Sequence, residues 1–323
     1  MKKIAVLTSG GDAPGMNAAI RAVARTAHEN DLLCAGVMAG YKGLMAGDFM
    51  PLGPRSVGMV LGRGGTLLKS SRSKEFTTYE GRQKAYQQLK ENEIDALIAI
   101  GGNGTLTGAH LFGKEFAFPV IGIPGSIDND LFGTDYSLGF QTAVQTAVEA
   151  IDKIRDTATS HDRIFFVEVM GRDSGWIALH TALASGAIAV ALPEVSFNRE
   201  KLLKTVLKNG RLGKLSSIVV VAEGCKEGSA GSLAGWMQHM HPEYDIRVTV
   251  LGHLQRGGPP AAPDRILASQ LGHAAVKALL AGSTDVMVGQ INNHMALTPL
   301  IDVVEKDNRI DTHLLELVEG LSN

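Results

Sequence analysis

Cysteine is almost missing: Cys34 and Cys225 are the only two in 323 residues. They are too few for a disulfide scaffold and lack the paired spacing that holds zinc, so both read as small buried thiols of a chain kept in a reducing compartment. Aromatic residues make up only 5%, so a core has to come from Ala, Val, Ile and Leu, the composition of parallel sheets covered by helices. No run approaches the ~18 apolar residues that span a bilayer. Ile4 to Leu7, behind Met1-Lys2-Lys3, falls short of the ~7–15-residue apolar region of a secretory leader and reads as a buried first strand. An excess of one charge is absent too, with 31 basic against 33 acidic residues, which removes the broad positive field that nucleic-acid binding by counterion release requires. The expectation is a cytoplasmic globular protein with neither a membrane nor a nucleic acid as partner, whose anion sites are local. At roughly 150 residues per domain its length fits two domains.

What is present is a rhythm of short apolar runs that end in glycine or polar loops and lead into helical patterns. Ile4 to Leu7 precedes Ser9-Gly10-Gly11, Ala96 to Ile100 precedes Gly101-Gly102, and Val120 to Ile123 precedes Pro124-Gly125. Ile164 to Val169 precedes Gly171, and Ile218 to Ala222 precedes Glu223-Gly224. In open α/β sheets ligands bind outside the carboxyl ends of strands, so these loops are the place to look for chemistry. Lys226 to Ser232 reads as a surface loop, and Gly257-Gly258-Pro259-Pro260 as a turn before a helix near Asp264.

Gly10 to Asn17 joins the first strand to an Ala-rich helix. Backbone N–H groups beside a helix N-terminus suit a phosphate, although the loop lacks the lysine of a P-loop and the Gly-x-Gly-x-x-Gly dinucleotide pattern. On that helix Arg21, Arg25 and His28 share a face, either solvated or holding an anion between the two guanidiniums. Gly101-Gly102-Asn103-Gly104-Thr105 is a second phosphate-sized loop, with Thr105 as the expected helix N-cap. Pro124-Gly125-Ser126-Ile127-Asp128-Asn129-Asp130 is a third. Its two carboxylates can share hydrated Mg²⁺, divide the roles of base and metal holder, or merely form Asx turns. Arg163, Arg172, Arg247, His253 and Arg256 flank two further loops, and guanidinium forks of this kind take phosphate bidentately.

In these motifs the chain closely resembles the bacterial ATP-dependent 6-phosphofructokinases from Lys3 to the C-terminal region. Leu7 to Ala19 resembles that family's opening loop, Ile127-Asp128-Asn129-Asp130 its catalytic turn, Met170-Gly171-Arg172 its arginine loop, and Arg247 to Gly258 with Asp264-Arg265 its sugar-phosphate signature. The resemblance implies two Rossmann-like three-layer α/β domains with mostly parallel sheets and the active site in the cleft between them. An ATP-binding domain is expected over 1–139 plus 255–305, and a fructose-6-phosphate-binding domain over 140–254 plus 306–323. It also implies transfer of the γ-phosphoryl of MgATP to the 1-hydroxyl of fructose 6-phosphate, with Asp128 as general base and Ser126, Arg72, Arg172 and the Gly11 N–H at the charged centre. Carried over in the same way, ATP falls to Gly11, Tyr41, Arg72, Ser73, Gly102, Asn103, Gly104, Thr105 and Gly108, and Mg²⁺ to Asn103 and Asp130. The sugar phosphate falls to Ser126, Asp128, Arg163, Met170, Gly171, Arg172, Glu223, Arg247, His253 and Arg256. Arg163 and Arg247 would reach in from a neighbouring subunit of a homotetramer. Gly104 and Gly125 resemble the ATP users rather than the pyrophosphate-dependent relatives.

The match departs in four places. Asn103 stands where the family has a metal-binding aspartate, which removes a formal charge beside the metal. An effector pocket for ADP or phosphoenolpyruvate would use Arg21, Arg25, Arg155 and Lys214. Beside it, Pro54 replaces an arginine, Met59 an acid, and Ile188 the glutamate that meets the effector's metal, so weakened allosteric control is expected. Asn103 also motivates an alternative reading, a weakly active or non-catalytic homologue that binds sugar phosphate or nucleotide as a regulatory subunit.

Overall fold

In the computed structural model, which describes residues 1–159, 163–211 and 217–321, each of the five apolar runs is a strand. Met1–Gln141 with Arg256–Asn308 forms one unit, and Thr142–Gln255 with Arg309–Asn323 a second. The first unit runs β1 (Lys3–Thr8), α1 (Met16–Glu29), β2 (Leu33–Val37), α2 (Gly40–Ala46), β3 (Phe49–Pro51), α3 (Tyr79–Glu91), β4 (Ala96–Gly101), α4 (Asn103–Phe116) and β5 (Val120–Pro124). Helix α5 (Phe140–Thr159) leads into the second unit, with β6 (Ile164–Val169), α6 (Trp176–Ser185), β7 (Ala189–Ala191), α7 (Arg199–Arg211), β8 (Ser217–Ala222), α8 (Ala230–Met240) and β9 (Ile246–Val250). The chain then returns to the first unit for α9 (Ala262–Leu280), β10 (Val286–Ile291), β11 (His294–Pro299) and α10 (Leu300–Glu305), and ends on α11 (Thr312–Leu321) in the second.

The first unit's sheet has the order β11-β10-β5-β4-β1-β2-β3 and is parallel except at its two edge pairs, β2–β3 and β10–β11. Its central strands β4 and β5 are buried throughout, as unbroken apolar runs should be when helices cover both faces. Because strand side chains alternate between faces, Ala5, Leu7, Leu97 and Ala99 share one core with Leu44 of α2, Leu89 of α3, Phe112 of α4 and Val303 of α10. The intervening Ile4, Val6, Ile98 and Ile100 are equally buried on the other face, where α1 and α9 lie against each other. That crossing is close because alanines on α1 meet Gly272 on α9, where an added Cβ would come within 2.6 Å of the Ala22 Cβ. Small residues thus do the work that scarce aromatics do not.

In the second unit all four strands are parallel, in the order β7-β8-β6-β9. Phe166 and Val219 share a core with Leu202 and Val206 of α7 and Leu233 and Met237 of α8, while α6 and α11 cover the opposite side. The surface loop expected over Lys226 to Ser232 is shorter than that. Only the first half of Lys226 to Ser232 is a loop, because Ser229 accepts a hydrogen bond from the Ser232 N–H and starts α8 at Ala230.

Candidate active site

Three loops leave the carboxyl ends of β5, β4 and β1, which are neighbours in the first unit's sheet. The Ser9 N–H donates to the Ile100 carbonyl and the Gly125 N–H to the Gly101 carbonyl, so the ladder continues past the strand ends and aligns the loops. Thr105 supplies a further tie by donating through Oγ1 to the Ser9 carbonyl at 3.0 Å. It is therefore not the N-cap expected of it. That position falls to Gly102, without a side-chain cap, because the hydroxyl is spent on the neighbouring loop.

The acidic turn is built with equal definition. Asp128 is only 5% exposed, and its N–H donates to the Ser126 hydroxyl at 3.3 Å. Between the two carboxylates Asn129 sits at φ 52°. Its amide clamps the turn by donating to the Asp135 carbonyl and accepting from the Ser137 N–H at 2.7 Å. A non-glycine residue in left-handed backbone, held by its own side chain, is the kind of local strain that functional turns retain. Asp130 points back toward the second loop: Asn103 Nδ2 donates to its Oδ2 at 3.0 Å and Ser126 Oγ to its Oδ1 at 3.2 Å. An added Cβ at Gly104 would meet nothing within 4 Å, whereas one at Gly125 would press on Met16 and Ile100. The first glycine therefore leaves open space in front of the α4 N-terminus, and the second is required by crowding.

The segment that carries Arg72 and Ser73 is fastened to the opening loop. Ser70 donates to the Gly10 carbonyl at 3.0 Å, Asn17 takes the 63–67 turn on both faces of its amide, and Thr8 donates to the Lys69 carbonyl. Arg72 itself is exposed. Arg256 lies on this loop too: Nη1 donates to the Asp12 carbonyl at 3.2 Å and fills the space a Cβ on Gly11 would need. Tyr41 is buried, stacked on Phe76 with ring centres 3.8 Å apart, and donates to the Thr105 carbonyl. Burial pushes its hydroxyl pKa up. Gly108 lies beneath both rings. Phe76 is a residue that sequence reasoning missed, since one aromatic in a polar stretch carries no periodic signal.

In the second unit the expected residues form two groups. Glu223 accepts hydrogen bonds through Oε1 from the N–H groups of Gly171 and Arg172, at 3.2 and 2.8 Å, which holds Arg172 at φ 51° with its side chain exposed. Met170 is fixed by the fully buried Gln255, whose Oε1 accepts from its N–H at 2.8 Å. Arg163 and Arg247 meet on one carboxylate: Arg163 Nε donates to Asp245 Oδ2 at 2.6 Å and Arg247 Nη2 lies 2.9 Å from Oδ1. Two guanidiniums sharing one acid leave a net positive, partly exposed patch suited to an anion. His253 is exposed. Asp264, part of the expected sugar-phosphate signature, is fully buried and accepts from the Gly139 N–H at 3.0 Å, so its role is to hold the backbone.

Of the residues expected to hold an effector, Arg21 and Arg25 share the outward stripe of α1 with His28. Burial, and then the charge of Arg25, lowers the Arg21 pKa, and its buried Nε has no hydrogen-bond partner. Arg155 donates to the Ser185 carbonyl, and Lys214 lies outside the described residues. Ile188 lines a cavity of about 260 Å³ walled both by Leu192, Leu202 and Leu315 and by Asn198, Lys201 and Glu319. Met59 is 89% exposed.

A two-unit α/β chain with phosphate-sized loops, a buried carboxylate turn and an arginine cluster is the arrangement of a phosphotransferase. The sequence matches the Phosphofructokinase family over residues 3–279, and the chain belongs to that family. It is 54% identical to ATP-dependent 6-phosphofructokinase 1 of Thermus thermophilus, with both chains covered in full. It is 51% identical to ATP-dependent 6-phosphofructokinase 2 of Bacteroides thetaiotaomicron, covering 99% of that protein. Among solved structures, phosphofructokinase from Saccharomyces cerevisiae superimposes with a TM-score of 0.89 at 37% identity over 94% of this chain. This chain spans 45% of the length of that fungal subunit. A pyrophosphate-dependent phosphofructokinase from Marinobacter aquaeolei shares the fold, with a TM-score of 0.85 at 22% identity.

Proposed function

We propose that the chain transfers the γ-phosphoryl group of ATP to the 1-hydroxyl of fructose 6-phosphate, giving fructose 1,6-bisphosphate and ADP, the committed step of glycolysis in the cytoplasm. The observation that carries this reading is the buried Asp128 on a clamped turn, next to loops that offer open backbone N–H groups to phosphate. The names of the bacterial relatives point the same way. In this assignment the first unit takes the nucleotide, and Arg163, Met170, Gly171, Arg172, Glu223, Arg247 and His253 of the second serve the sugar phosphate. Tyr41 and Thr105 frame the nucleotide site through their hydrogen bonds to each other and to Ser9.

Asp128 takes the proton of the 1-hydroxyl as its oxygen bonds to the γ-phosphorus and the bond to the bridging oxygen of ADP breaks. Arg72, Arg172 and the Gly11 N–H steady the charge that spreads over the transferred group, and fixed donors of this kind supply most of the rate. Magnesium fits the residues present. Asp130 offers a hard carboxylate oxygen held toward the α4 loop by Asn103 and Ser126, the kind of single carboxylate by which Mg²⁺ is held beside substrate phosphates. When bound, it neutralises phosphate charge. The assembly is a homotetramer in which Arg163 and Arg247 complete a neighbour's site, with a weakened ADP or phosphoenolpyruvate response.

Steady-state assays with fructose 6-phosphate, ATP and titrated Mg²⁺, with pyrophosphate as a parallel donor, test this reading. Turnover with ATP that falls by about 10²–10⁴-fold in Asp128→Asn is expected. Sugar-phosphate binding without turnover from either donor would identify a regulatory homologue instead.

A further inference from the structure

Asp130 is braced by two uncharged donors from two different loops. Asn103, the first residue of α4, gives Nδ2 to Oδ2 at 3.0 Å, and Ser126, in the turn after β5, gives Oγ to Oδ1 at 3.2 Å. An ionised carboxylate only accepts hydrogen bonds, so the Asn103 amide has to turn its NH₂ toward Asp130 and its carbonyl oxygen away. The backbone of Asn103 is itself held, since Thr107 Oγ1 donates to its carbonyl at 2.8 Å. With an amide in this place the carboxylate has an orientation before any cation arrives. With an acid there, two carboxylates would face each other at hydrogen-bond distance and would need a cation or a proton between them.

We propose that Asn103 is a positioning residue for Asp130: its amide fixes the carboxylate by a direct hydrogen bond that couples the nucleotide loop to the catalytic turn, and its own oxygen is not a metal ligand. This deepens the kinase reading above and replaces the metal-ligand role that the resemblance implies for Asn103. It accounts for a neutral side chain at the mouth of a phosphate site as a working part of the site. Asp130 then meets the cation with its remaining lone pairs, already aimed.

A double-mutant cycle in the full-length protein, joined to a metal-binding measurement, tests it. Asn103→Ala should lower kcat about fivefold with the KM for fructose 6-phosphate unchanged, and should cost less than about twofold more once Asp130→Asn is present, because residues acting through one hydrogen bond are non-additive. Mn²⁺ binding to the nucleotide-free protein, followed by electron paramagnetic resonance, should weaken by only about two- to threefold in Asn103→Ala, the loss of an alignment rather than of a ligand. Asn103→Asp should bind Mn²⁺ about tenfold more tightly, since it places a second carboxylate against the first. A tenfold loss of Mn²⁺ affinity in Asn103→Ala would show the amide oxygen to be a ligand and overturn the proposal. Independent, multiplicative kcat losses would overturn it too, as would an Asn103→Asp affinity equal to wild type. The Mn²⁺ arm requires no turnover, so an inactive wild type counts against the kinase reading alone.

Discussion

Asp245 stands 82 residues from Arg163 in the chain, yet it is the group that brings Arg163 and Arg247 together. The arginines were legible in the sequence because guanidiniums beside strand ends have few other uses. Their carboxylate was not, since an acid after a tyrosine in a polar turn carries no pattern. Asn129, Gln255 and Phe76 were missed for the same reason: each acts through one hydrogen bond or ring contact that only the folded chain creates. His180 on α6 gives a residue-scale test. Burial lowers its pKa below the ordinary 6.5, with Asp311 partly opposing. Unfolding therefore lets the ring take up a proton that the folded protein refuses, so stability is fully present above about pH 6.5 and is lost as pH falls from there toward the lower folded value. The melting temperature should accordingly drop more steeply between pH 7.5 and 5.5 in the wild type than in His180→Gln. Parallel pH curves would show that this ring is not the group responsible.

At the scale of elements, long buried strands announce themselves and short edge strands do not. β1, β4, β5, β6 and β8 are mostly apolar and legible in the sequence, with Glu168 the one charge inside β6, whereas β3 and β7 have three residues each and β9 mixes Arg247 and Thr249 with exposed valines. Propensity favours Thr105 as the cap of α4, but it cannot register that this hydroxyl is donated to the Ser9 carbonyl, so the cap falls to Gly102. Elements are also held by groups that resemble ordinary surface charge. Arg82 of α3 is 6% exposed and grips Glu115 of α4 through two bonds of 2.6 Å, while Nη1 donates to the Phe76 and Thr77 carbonyls. That one side chain fixes the turn bearing Phe76, and through it Tyr41. Arg82→Met should cost about 2–3 kcal/mol, since it strands a half-buried acid and two carbonyls. Restoring most of that loss with Arg82→Met combined with Glu115→Leu would trace the cost to the stranded acid. Thermal unfolding of the three proteins decides it.

For the whole molecule, the two-unit α/β architecture followed from composition and rhythm, and the family from four separate motifs. What composition could not convey is the course of control. Arg21 and Arg25 keep an outward stripe on α1, Met59 stands in solvent, and Ile188 of the second unit lines a cavity of mixed polarity. On the weakened effector response proposed above, initial rates at subsaturating fructose 6-phosphate should stay flat when ADP or phosphoenolpyruvate is titrated in. Strong sigmoidal control would show that other residues have taken over the task.

The strand order of the first unit bears on how the protein is made. β5 finds its outer neighbour in β10, and α1 finds its cover in α9, both encoded after the whole of β6 to β9 has been synthesised. On the ribosome the early half-sheet, already carrying all three phosphate loops, must wait with the apolar side of α1 bare until residue 280 and beyond have emerged. Closing so long a loop is slow, and bare apolar surface invites association with other chains. The second unit can reach its own four-stranded sheet during that delay. A nascent chain arrested before β10 therefore presents an open first unit and a second unit whose four strands can pair but which still lacks α11.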